Sequence, residues 1–430
     1  MNAQERKQKL TQIQSNTEPA MRGIPLKYQG ENRTFDAYRI PLDYLVYNPY
    51  NGRIGSVVKS YERQHHTLDV ENPEDIKRIE KFLWESKADA NKKTRQSLLD
   101  DHQQKFGIVT ADGRIIDGNR RACLLNSIRQ DDSILPNKKQ HCDYFLAIIL
   151  PIDADRKEIL RLETTFQMGE DAKVDYNPIE KYLKCQDLSD VGFSTLEIAN
   201  FMGDKKSNVE MYLSVLKLMN QYLEYYHYDG IYTLLDKNED SFQKLNAALN
   251  GYRSGSVSCM WDFDPEIDTE DLKLIAFDYI RFGFDQVAFR EIIKKPSAQN
   301  PNASIFGNKE IWTVFRDKHF ETIDPITNTE EPVESLIEHS GGGDITRILR
   351  ARDNQWRALV GAHMQENFGK SIEKLQNKQA ADNPLKLLQK ALDALESVDT
   401  DQESFKKSGE VLECIKAIGR IAWEYKKMLE

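Results

Sequence analysis

The sequence predicts an α+β protein: a small mixed-sheet domain near the N-terminus, followed by a mostly α-helical region that holds a helix-turn-helix and ends in a C-terminal helical bundle. Three observations point there. Over residues 35–155, short apolar runs of strand length alternate with amphipathic helical stretches. From residue 156 onward the apolar spacing is mostly helical. At 430 residues the chain also exceeds one ordinary core, so two or three domains are expected.

Taken in order, residues 1–34 read as a polar N-terminal arm, partly helical, with Pro19 and Gly23 as breakers. Residues 35–155 form the small-sheet domain. Tyr38 to Leu42 and Tyr44 to Tyr47 read as short strands, or as a strand and a turn. The loop NPYNGRIGS (Asn48 to Ser56) follows, with one arginine, Arg53. Pro73 opens a helix whose Ile76, Ile79, Phe82 and Leu83 share one face. Phe106 to Thr110 is a strand, Ala111 to Arg114 a hairpin turn, and Ile115–Ile116 the return strand. A tight turn, Asp117-Gly118-Asn119, then enters a helix with Arg120 and Arg121 in its first turn. Residues 142–151 give a third apolar strand.

Residues 156–250 read as a helical domain with the helix-turn-helix, and residues 251–340 as a mixed connecting region of turns, acidic loops and one amphipathic helix. Gly341-Gly342-Gly343 suits a linker. Residues 344–430 form a C-terminal helical domain. Its series Leu385, Leu387, Leu388, Leu392, Leu395 and Ile415, Ile418, Ile421, Ala422, Tyr425 mark a bundle core or an oligomer seam.

Composition removes several classes. Hydrophobic residues make up 40% and charged residues 30%, a globular rather than disordered balance. No apolar run has membrane-spanning length, and the first residues lack an apolar signal-peptide core, so a cytoplasmic protein without membrane contact is expected. Five cysteines (123, 142, 185, 259, 414) show no CxxC spacing, and the eight histidines form no HExxH motif, which speaks against a structural zinc site or a disulfide framework. The pair His65-His66 and the acidic stretch Asp262 to Asp271 read as solvated loops, the latter without the spacing of a calcium loop. A net charge of −10 argues against a surface wrapped in nucleic acid but leaves room for a local basic patch. There is no Gly-x4-Gly-Lys-Ser/Thr loop, so a P-loop ATPase is not expected.

The most informative stretch is GIVTADGRIIDGNRRACLLNSI, residues 107–128. A helix start offers free amides and the positive end of its dipole to an anion. Gly118 permits a close approach to the backbone. Arg120 or Arg121 can fork onto a phosphate. Asp117 can orient an arginine, bind a metal or act as a base. The plainer reading is that Asp-Gly-Asn makes a good turn anywhere and that the arginines are merely solvated.

This segment resembles the GERR-type motif of the ParB/sulfiredoxin superfamily, and the DGHHR-type motif of that superfamily's free-serine kinases. Other parts fall in the same order. IPLDYLVYNPYNGRI resembles the opening strand and asparagine-proline loop of ParB N-terminal domains. RLETTFQMGEDAKVDYNPIEKYLKCQDL resembles the ParB stretch ENLQR, a short link, then NPIEEA. The resemblance covers roughly residues 35–225. It implies a nucleoside triphosphate, CTP or ATP, with Mg2+. It places Arg53, Asp117, Gly118, Asn119, Arg120 and Arg121 at the nucleotide, and Glu163 at the motif glutamate, the implied metal ligand. Departures are plain: Asn119 stands for the ParB glutamate, Thr164 for the motif asparagine, Gln167 or Met168 for the motif arginine, and sulfiredoxin's cysteine is missing.

STLEIANFMGDKKSNVEMYLSVLKL (194–218) has helix-turn-helix spacing. Ser194/Glu197 and Ser207/Glu210 read as two capping boxes, and Gly203 as the turn. ParB proteins carry a similar segment here. Docked in a major groove, Lys205, Lys206, Ser207 and Asn208 would lead. The same helix pair also occurs as scaffold, and Glu210, Met211 and Tyr212 occupy places where DNA readers often carry arginine or glutamine.

The leading expectation is therefore a ParB-like nucleotide-binding, NTP-hydrolysing or merely NTP-gated, DNA-binding protein. Its C-terminal helices would join copies of the chain or recruit a protein partner. The alternative is an enzyme on the same fold, a phosphotransferase, NTP hydrolase or nuclease in a mobile-element or phage-defence setting, with Asp117 and Glu163 catalytic. A third reading is an adaptor with a degenerate site.

Overall fold

A computed structural model describes residues 1–170, 177–256, 261–297, 300, 302–339, 344–380 and 384–429. Cys259 and the Gly341–Gly343 linker lie outside the described residues. The architecture is α+β, with one five-stranded mixed sheet among the described residues and helices elsewhere.

The N-terminal half runs α1 (Ala3–Asn16), β1 (Met21–Tyr28), β2 (Glu31–Pro41), a 3-10 turn (Leu42–Tyr44), α2 (Gly55–Gln64), α3 (Pro73–Glu85), α4 (Ala88–Asp101), β3 (Gly107–Val109), β4 (Ile115–Asp117), α5 (Asn119–Arg129), α6 (Pro136–Lys139) and β5 (Tyr144–Ile149). The sheet order is β1-β2-β5-β3-β4, antiparallel throughout except for β3 beside β5. Successive strand residues point to opposite faces. Ile40, Val109, Ile115, Phe145 and Ala147 pack under α2–α5. Ile24, Leu26, Tyr28, Ile108, Ile116 and Ile148 pack on the other face with Leu162 of the next helix.

Two expectations change here. The arm is part of the domain: β1 is an edge strand of the sheet, because Ile24, Leu26 and Tyr28 alternate into the core. Arg6 of α1, 4% exposed, donates to the Asp112 carbonyl (2.8 Å) and pins the helix to the β3–β4 turn. Tyr44 to Tyr47 makes no strand, only a single bridge between Val46 and Arg114.

The second half continues with α7 (Arg156–Thr164), a π-helical turn (Thr165–Glu170), α8 (Pro178–Asp190), α9 (Thr195–Met202), α10 (Lys206–Tyr225), α11 (Glu239–Arg253), α12 (Ile267–Phe282), α13 (Gln286–Ile293), α14 (Lys309–Thr327), α15 (Val333–His339) and α16 (Ile345–Ala380). The region expected to be a connector is instead helical core. Ile275, Phe277 and Tyr279 of α12, Phe289 of α13, Trp312 and Phe315 of α14 and Trp356 of α16 share one apolar cluster with α8–α11. A buried guanidinium crosses it: Arg281 donates to Asp353 (2.6 Å) and Glu330 (2.6 Å). Of the acidic stretch expected to be a solvated loop, Asp264 accepts amides at the entry to α12, while Asp268 and Asp271 lie within that helix and pair with Arg316 (3.6 and 3.5 Å). Beyond α16 come α17 (Pro384–Glu396), α18 (Glu403–Lys407) and α19 (Gly409–Leu429). Their leucine and isoleucine faces stay exposed, with Leu385, Leu388, Ile415 and Ile418 between 37% and 72% accessible.

Candidate functional site

The turn before α5 is built from the residues the sequence singles out. Gly118 caps the helix at φ +100°, ψ 14°, without a side chain to accept the first amides. Asn119 is buried, and its amide links two segments. Its Oδ1 accepts from the Asn48 backbone N–H (2.8 Å), and its Nδ2 donates to the Ile115 carbonyl (3.0 Å). The loop 48–54 is thereby fixed beside the helix start. Inside that loop Asn51 donates to the Asn48 carbonyl (2.7 Å) and accepts from the Arg53 N–H (3.1 Å).

These residues enclose a cavity of about 210 Å3 lined by Asn51, Arg53, Lys105, Gln167 and the run Asp117–Arg121, with Thr94 at its edge. Four cations (Arg53, Lys105, Arg120, Arg121) face one carboxylate, Asp117. With the helix dipole behind them, the local field favours an anion. Asn51, Thr94 and Lys105 were not expected here, while Gln167 is one of the two residues that could stand for the ParB motif arginine. Asn51 sits in the loop already flagged for Arg53. Thr94 lies in α4 and Lys105 just before β3, in a stretch without a recognisable motif.

Arg121 has a different place from the phosphate fork expected of it. Its guanidinium donates to Asp117 Oδ2 (2.6 Å) and to the carbonyls of Lys105 and Phe106 (3.1 Å to the latter), tying α5 to the start of β3. Asp117 is likewise held in that ion pair.

Glu163 is not brought to this cavity. It lines a neighbouring cleft, 1% exposed, with Oε1 at 3.1 Å from Lys184 Nζ. The two form an ion pair, although neither atom makes a well-directed hydrogen bond. Burial pushes the Glu163 carboxyl above its usual range, and Lys184 offsets this in part. A carboxylate so committed does not fit the role of metal ligand. One helical turn further, Gln167 accepts from the Gly52 N–H (3.1 Å) and donates to the Ile116 carbonyl (3.1 Å), so it bridges the loop and β4. Glu180 of α8 reaches back to the same loop. It accepts from Ser56 N–H (2.8 Å) and Ser56 Oγ (2.5 Å) at the start of α2. Burial raises the Glu180 carboxyl, and the Ser56 hydrogen bonds oppose that.

At the helix-turn-helix segment, the first capping box forms: Ser194 and Glu197 exchange hydrogen bonds, and Gly203 closes α9 at φ +63°. The second does not. Lys205 caps α10, Ser207 lies inside the helix, and Glu210 pairs with Lys206 (3.1 Å). Asp204 takes the organising role. It accepts from Asn208 Nδ2 (2.6 Å), Tyr212 Oη (2.8 Å) and Lys181 Nζ (3.1 Å). Burial opposes its ionisation, but these bonds and the Lys205 amide win and hold the carboxyl down at about 2. Lys205, Lys206 and Ser207 are exposed together, while Asn208 is half-buried and tied to Asp204.

Among the described residues no three histidines, cysteines or acids gather as a metal site, and no helix is long and apolar enough to cross a membrane. Comparison with known protein families, curated proteins and solved structures finds no match to this chain.

Proposed function

We propose that the cavity at the α5 N-terminus holds the phosphates of a nucleoside triphosphate, CTP or ATP, and that the chain is a ParB-like nucleotide-binding protein that contacts DNA through the α9–α10 turn. One observation carries the reading. Residues far apart in sequence, Arg53, Lys105 and Asp117–Arg121, meet around one small cationic cavity at a helix start. At about 210 Å3 the cavity suits a phosphate chain rather than a whole nucleotide, since complete small-molecule sites run to about 300–1,000 Å3. Mg2+ would arrive with the phosphates and be held by them and by water, since Asp117, the one carboxylate on the wall, is committed to Arg121. Binding is favoured over turnover because Asp117 and Glu163 both sit in ion pairs. The enzymatic alternative would need one of them released.

The test is calorimetric titration of the full chain with CTP, ATP and GTP in magnesium. Because Arg121 carries structural bonds, the informative variant is Arg53→Ala with Arg120→Ala. Binding of one triphosphate by the wild type, weakened a hundredfold or more (about 3 kcal/mol) in the variant, supports the site. No binding to any of the three refutes it.

A further inference from the structure

The N-terminal half has a larger cavity than the one at α5. A cleft of about 750 Å3 is walled by Tyr50 of the loop 48–54, by the β3–β4 turn and by the first turns of α7, with Glu163 also on its wall. Its charges are unbalanced. Asp187 is matched by Lys59 (3.1 Å) and Glu163 by Lys184 (3.1 Å), which leaves Asp112, held only by the Thr110 hydroxyl, as the one carboxylate of the lining without a cationic partner among the described residues. The cations Lys7, Arg114 and Arg156 have no such match: none forms a salt bridge or side-chain hydrogen bond with a described residue. Ile152, Ile159 and Leu160 add an apolar part to the lining, the last two on the same helix face as Arg156. Glu163, 1% exposed on the same lining, leaves Oε1 without a hydrogen bond, while its partner Lys184 is not part of the lining.

We propose that this cleft is a second ligand site, for an organic phosphate with a flat apolar body, of which a nucleoside monophosphate is the simplest. Lys7, Arg114 and Arg156 take the phosphate. Guanidinium forks suit it. Ile152, Ile159 and Leu160 bury the flat body beside the Tyr50 phenol, and the Glu163 carboxylate offers an acceptor to its polar edge. The volume fits the range of small-molecule sites. The inference does not rest on the reading of the α5 cavity.

The probes are AMP and inorganic phosphate, titrated calorimetrically into the full chain. AMP is expected to bind the wild type, more tightly than inorganic phosphate. Arg114→Ala with Arg156→Ala should weaken it about tenfold or more. Arg53→Ala with Arg120→Ala should leave it unchanged, which separates this site from the triphosphate site. Three results overturn the proposal: no AMP binding; AMP and phosphate binding equally; or AMP binding lost in the Arg53/Arg120 variant and kept in the Arg114/Arg156 variant. A protein that fails to bind any triphosphate but gives the expected AMP pattern leaves the second site standing.

Discussion

Replacing Gly118 by alanine tests whether the turn before α5 shapes the cationic cavity. At φ +100° an alanine sits in the left-handed region, which costs about 1–2 kcal/mol. Its Cβ would also stand 2.6 Å from Phe145 Cζ and 3.2 Å from Cε2. Phe145 is fully buried and cannot swing into solvent, so the ring or the turn must move. Overpacking of that kind costs about 1–3 kcal/mol. The loss should therefore be about 2–5 kcal/mol, a large share of the roughly 5–15 kcal/mol that holds a domain folded. Urea unfolding followed by circular dichroism measures it. Pairing the change with Phe145→Leu separates the two contributions. Measured against Phe145→Leu alone, the added Gly118→Ala change should lose its steric part and retain about 1–2 kcal/mol of backbone cost. A loss below about 1 kcal/mol, or one that Phe145→Leu leaves untouched, refutes the reasoning.

Three further outcomes are expected. Asp204 has a folded pKa of about 2 against 3.8, so its stabilisation is present above pH 3.8 and disappears as the pH falls to about 2. Asp204→Asn should cost about 1 kcal/mol at neutral pH, with the gap to wild type closing over that window in acid unfolding curves. If the α9–α10 turn meets DNA, Lys205→Ala and Lys206→Ala should each lower the slope of log K against log salt by about 1, without changing the melting temperature. If the bare faces of α17 and α19 join copies of the chain, Ile415→Lys with Ile418→Lys should shift sedimentation to the monomer; unchanged sedimentation removes that reading.

The sequence makes the site's core legible because its signal is local. Strand, Asp-Gly-Asn turn and helix are contiguous, and the loop of Arg53 carries its own asparagine-proline punctuation. The parts that escaped are the long-range ones. Nothing local distinguishes Arg121, bound to backbone carbonyls, from Arg120 on the cavity wall. Nothing local says that Glu163 will meet Lys184 instead of Asp117, since that depends on how α7 and α8 pack. The alternation at Ile24, Leu26 and Tyr28 was present but is interrupted by Pro25, so the edge strand read as an arm. At α10, Ser207 and Glu210 had capping spacing, yet the helix starts two residues earlier, with Lys205 as its cap, because Asp204 anchors the turn.

The start of α2 has a consequence for how the chain unfolds. Ile54 offers this helix no capping oxygen, and Glu180, borrowed from the far side of the boundary, fills the place. Gly55 leaves room for it, since a Cβ there would lie 2.9 Å from Glu180 Oε2. Prying the two halves apart strips the helix of its cap and strands a carboxylate at once. The loop 48–54 and the helices behind it should therefore exchange their amide hydrogens as one unit, with protection of Ser56 reporting whether the halves are docked. Any event that loosens α8 then reaches the loop 48–54 through the lost cap and the Lys59–Asp187 pair beside it.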